Sequence, residues 1–145
     1  LDEALERMRD IEKRARQLGD LPDTIWAICQ QAEILYAQGE LERSTNARER
    51  ARDLIVEHNL ENTPVEEFVY RLSAQQAWEA LDIEGTKDFT NRGIAAARHL
   101  GESLMLQEYS LLANIALADA DKDACLKWVD KLGRLLDHGE YHQDW

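Results

Sequence analysis

Two cysteines, two prolines and seven glycines are all that this 145-residue sequence holds of those types. Cys29 and Cys125 lie far apart, so they read as buried thiols of a reducing cytosol and not as a disulfide framework. So little proline and glycine excludes a collagen-like or low-complexity chain. No apolar run approaches the roughly 20 residues of a membrane span, and no signal peptide is present. Basic charge is scarce too. Seventeen Lys and Arg stand against 29 Asp and Glu, a net charge of -12, whereas a phosphate backbone demands a basic face. No glycine-rich GK[ST] loop exists to cradle a nucleotide. His138 and His142 are four apart but straddle Gly139 with no third ligand nearby, so they read as surface histidines. No serine or cysteine sits beside a histidine, and Glu66-Glu67 reads as a pair set against a helix-start dipole. These absences point to a cytoplasmic non-enzyme with no cofactor of its own, no nucleic acid bound and no membrane.

What is present is apolar spacing of helical period almost everywhere, in a chain that is 44% hydrophobic. Gly19, Asn59, Gly101 and Gly139 each follow a periodic run, where a left-handed cap residue belongs. Their separations of 40, 42 and 38 residues indicate a helical solenoid. The spacing predicts helix pairs at 22–38 and 41–58, 64–80 and 83–100, and 103–118 and 121–137. Thr63 is placed to cap the third of these, with Pro64 in the first turn and Glu66 reaching back to the cap. The repeats run over about 22–58, 63–100 and 102–138. Residues 1–18 form a lone second helix, and 139–145 would start a further segment. A lone helix, and a chain opening on Leu1, suggest one domain excised from a longer solenoid.

The repeats align internally. Ala32, Ala74 and Ala113 share one small position; Ser44, Thr86 and Cys125 share another. Gly39, Leu81 and Ala120 mark the turn inside each pair. This pattern resembles tetratricopeptide-like repeats, which implies an all-α, right-handed superhelix of antiparallel helix pairs. In such solenoids the first helix of each pair lines the concave groove. Counting from the shared alanine puts Trp26, Cys29, Glu33 and Tyr36 there in the first repeat. The second gives Phe68, Arg71, Gln75 and Trp78; the third gives Gln107, Ser110, Asn114 and Leu117. Each set keeps to one helix face. Flat aromatics interleaved with amides, a carboxylate and a guanidinium suit a sugar, whose C–H faces stack and whose hydroxyls need planar partners. Aromatics at this spacing equally serve to plug a core, and both readings stand at this point. The charge runs, such as 48–53, read as solvated faces of second helices.

Three stretches resemble the helical-repeat region of MalT-like, LuxR-type regulators of maltose utilisation. They are QQAEILYAQG at 30–39, the PVEEF start at 64–68 with Arg71 and Ala74-Gln75 behind it, and GEYHQDW at 139–145. The resemblance implies a sensor region that binds the inducer maltotriose. ATP-binding and DNA-binding parts would lie elsewhere in the full-length activator, and self-association would follow from inducer and ATP together. The candidate ligand residues come from the groove count alone: Trp26, Glu33, Tyr36, Phe68, Arg71, Gln75, Trp78, Gln107 and Asn114. A tetratricopeptide-like scaffold that grips a peptide or partner protein is the alternative reading.

Overall fold

The structure is a computed structural model, and it describes residues 1–97 and 105–137. Among the described residues seven helices follow one another: α1 (Asp2–Leu18), α2 (Leu21–Ala37), α3 (Leu41–Glu57), α4 (Pro64–Glu79), α5 (Ile83–Ala97), α6 (Leu106–Ala118) and α7 (Lys122–Asp137). The punctuation works as the residue types dictate. Gly19 adopts a left-handed φ of 73°, and the Gly19 and Asp20 N–H groups donate to the last carbonyls of α1. The Asp20 carboxylate then accepts from Asp23 N–H at 3.1 Å, starting α2 with Pro22 in its first turn. Asp82 and Asp121 cap α5 and α7 in the same way, accepting from Gly85 and Ala124 N–H.

The three aligned turn positions share one backbone state. Gly39, Leu81 and Ala120 have φ of 78°, 61° and 56°. In each turn the next residue donates its N–H to a carbonyl five residues back, so only a left-handed residue closes the pair. Asn59 ends α3 with φ 54°. The start of α4 departs from the predicted capping box. The Thr63 hydroxyl donates to the Leu60 carbonyl, and Glu66 accepts from Asn62 N–H at 2.8 Å. The Glu66 N–H that a capping hydroxyl would take goes instead to the Thr63 carbonyl at 3.0 Å, and the Thr63 N–H to the Leu60 carbonyl. Gly101, Gly139, His138, His142, the helix ends predicted at 100 and 103, and the segment 139–145 lie outside the described residues.

The chain divides into two compact units, Leu1–Leu72 and Ser73–Trp145. In the first, Leu5 of α1, Ile25, Ile28 and Leu35 of α2, Ile55 of α3 and Leu72 of α4 share one buried cluster. The small positions let α2 and α3 approach closely: Ala32 and Ser44 are fully buried, and Ser44 Oγ donates to the Ala32 carbonyl at 2.8 Å. A buried carboxylate joins three helices. Glu12 accepts from Gln31 Nε2 at 2.7 Å, Arg16 Nε at 3.0 Å and an Arg50 guanidinium nitrogen at 2.6 Å. Arg50 thus leaves the charge run predicted as a solvated face and crosses from α3 to α1. Buried charge is stable only when paired in this way.

In the second unit, Ala97, Met105 and Tyr109 are the buried cluster, with Ile94, Leu112, Trp128, Leu132 and Leu135 packed on it. Tyr109 and Trp128 stack with centroids 5.5 Å apart. The Lys127 and Lys131 ammoniums lie over those rings. Lys87 of α5 reaches Asp119, after α6, at 2.9 Å and Glu84 at 3.0 Å. Hydrogen bonding to Asp119, then to Glu84, holds this ammonium above the ordinary lysine range. Cys125 is only half-buried, unlike the buried thiol expected of it.

Candidate functional site

Helical spacing turns Cys29 and Glu33 of α2 to one face, and the first half of α4 supplies Glu67 and Arg71 one turn apart. The Arg71 Nε donates to Glu67 at 3.0 Å, and an Arg71 terminal nitrogen stands 3.6 Å from Glu33. The Arg71 side chain is 17% exposed, Glu67 9% and Glu33 29%. One guanidinium therefore faces two carboxylates, and Glu33 is the more open of them. Behind them lies Cys29. Burial pushes its thiol up to about 12; Arg71 opposes this, and Glu33 and Glu67 add to it. A thiol held neutral at physiological pH is no nucleophile.

The remaining residues of the predicted stripe divide by surroundings. Trp26 and Tyr36, on the same helix as Glu33, are half-buried. Phe68 packs against the apolar cluster of the first unit, so part of its ring belongs to the core. Gln75, Trp78, Gln107 and Asn114 fall in the second unit. Trp78 is half-buried; the three amides are exposed, and Gln75 donates to Glu79 at 3.2 Å. Glu33 and Arg71 are thus the pair of predicted residues that a described contact brings together. Sequence reasoning does not single out Glu67 as a partner: its spacing of four from Arg71 is legible, but its place at a helix start points to a dipole role. The Tyr70 hydroxyl likewise donates to Glu66 at 2.7 Å.

The second unit has a different kind of surface. Leu117, Leu126, Val129 and Leu136 are exposed around α6 and α7. A shallow apolar pocket of about 170 Å³ at the turn is lined by Leu117, Ala120, Lys122, Cys125 and Leu126, among others. Among the described residues no helix is long and apolar enough to cross a membrane.

A known family matches the sequence over its whole length. The model of the MalT-like TPR region covers residues 1–145. The chain belongs to this MalT-like TPR family. It is similar to proteins named HTH-type transcriptional regulator MalT, at 33% identity in Vibrio parahaemolyticus and 32% in both Vibrio campbellii and Vibrio cholerae. Each match takes in all 145 residues of the chain and 16% of the relative. The chain therefore spans about one sixth of the length of these MalT relatives.

Proposed function

We propose that this MalT-like region is the inducer-sensing part of a cytoplasmic transcriptional activator, and that it binds maltotriose. The observation that carries the reading is the Glu33–Arg71–Glu67 group, with half-buried Trp26 and Tyr36 on the helix of Glu33. Its net charge of one negative unit opposes an anionic ligand and leaves acceptors for a neutral polyol. Glu33 is open enough to accept a sugar hydroxyl, and indole and phenol rings offer faces to pyranose C–H groups. The same charge disfavours the rival reading in its commonest form, a groove that clamps a peptide carboxylate.

The mechanism in this reading is a shift of population. A hydroxyl bound by Glu33 competes with the 3.6 Å contact to Arg71, which ties α2 to α4. Sugar would thereby favour one packing of these helices over another, and self-association of the full-length activator would follow. ATP and DNA would be held by other parts of that protein, and no turnover of the sugar is assigned to this region. Calorimetry with maltotriose on the chain and on Glu33→Gln, Trp26→Ala and Arg71→Ala tests the site. The expected result is a loss of affinity of about tenfold or more in each variant, roughly 1.4 kcal/mol. Unchanged affinity in all three removes the assignment.

A further inference from the structure

Glu108 of α6 is 1% exposed, and no donor among the described residues reaches either of its carboxylate oxygens. On α5 the Thr90 hydroxyl is likewise buried without a partner. Met105 and Leu112, three before and four after Glu108, share its helix face. Both belong to the apolar cluster that includes Ile94 and Ala97 of α5. The carboxylate is thus set into an apolar stripe, where an unsatisfied polar group is costly and is normally avoided.

The repeat register shows that the fold has no need of it. Five residues before the shared alanine stand Ala27, Val69 and Glu108, and all three are buried. Val69 packs in the cluster of the first unit as an ordinary apolar side chain. The forces that close α6 onto α5 are modest by comparison. The buried cluster there is small, and α7 contributes no buried residue. The Lys87–Asp119 ion pair between α5 and the end of α6 is partly exposed, a setting in which such pairs contribute little.

We propose that α6 and α7 part from α5 together, in a local opening that hydrates Glu108 while α1, α2 and α3 stay closed. The unpaired carboxylate raises the closed state in free energy, and water satisfies it in the open one. The opening is a sub-global event with its own equilibrium. It stands independently of the sugar-binding reading.

Hydrogen exchange followed by mass spectrometry on the 145-residue chain, with Glu108→Val and Glu108→Gln, is the test. Amides of α6 and α7 are expected to exchange about tenfold faster, or more, than those of α2. Glu108→Val restores the side chain found at position 69. It should slow α6 and α7 by about tenfold and leave α2 and α3 unchanged. Glu108→Gln, neutral but still polar, should fall between. If Glu108→Val exchanges at the natural rate or faster, or fails to fold, the carboxylate is supporting the packing and the proposal is overturned. Equal exchange of α2 and α6 in the natural chain overturns it as well, since opening is then global.

Discussion

Ile55 of α3 and Leu136 of α7 hold the same place in the repeat, 81 residues apart, yet one is 1% exposed and the other 62%. Ser44 and Cys125 form a second such pair, fully buried in α3 and half-buried in α7. The α2–α3 pair has Leu5 of α1 in its cluster, and Val65, Val69 and Leu72 of α4 as well. The α6–α7 pair shares its cluster with Ile94 and Ala97 of α5, among the described residues. Register therefore makes a position eligible for the core, and flanking helices decide whether it is buried. A repeat cannot close its own apolar face.

The largest expected effect follows directly. Ile55→Ala should cost about 2–5 kcal/mol in urea unfolding, because it removes a buried side chain and leaves a cavity. Leu136→Ala should stay within about 0.5 kcal/mol, as surface changes do. Equal losses would break the comparison. A smaller contrast lies in pH. The folded chain keeps the Cys29 proton up to about 12, whereas the unfolded thiol loses it near its ordinary 9.0. The stability due to the neutral buried thiol is intact below pH 9 and falls as pH rises from there toward 12. By pH 10 the loss is on the order of 1 kcal/mol. Cys29→Ala should flatten that alkaline limb, and a limb of unchanged slope would count against it. The smallest effects concern the turns. Gly39→Ala should destabilise by about 1 kcal/mol, since φ is positive there. Leu81→Gly and Ala120→Gly, at the same register, should stabilise by about 0.5–1 kcal/mol once the unfolded-state entropy of glycine is set against the relieved strain. A loss on either glycine replacement would show that those side chains matter more than their backbone state.

The fold was legible where the local residue alone decides. Gly19 and Asn59 announced helix ends, and the alignment of Gly39 with Leu81 and Ala120 marked turns that share one left-handed state. Tertiary pairings were less visible. Glu12 sits in a helix crowded with charge, and nothing nearby distinguishes it from its neighbours. What buries it is Gln31 and Arg50, 19 and 38 residues away. The candidate site was half-legible for the same reason. Spacing puts Glu33 and Arg71 on the inner stripes of consecutive repeats, and the two meet. The same spacing treated Phe68 and Gln75 alike, although one packs on a core and the other is exposed. Periodicity names a face of a helix but not what stands opposite it.

The bare leucines and valine around α6 and α7 also bear on colloidal behaviour. A chain carrying -12 charges repels its own copies, and in dilute buffer that repulsion reaches about 30 Å. In molar salt the reach shrinks to about 3 Å, while excluded salts such as sulfate strengthen contact between oily patches. Leu117, Leu126, Val129 and Leu136 are then no longer kept apart by charge. Solubility should decline as ionic strength rises, the reverse of a protein whose copies are held together by opposite charges.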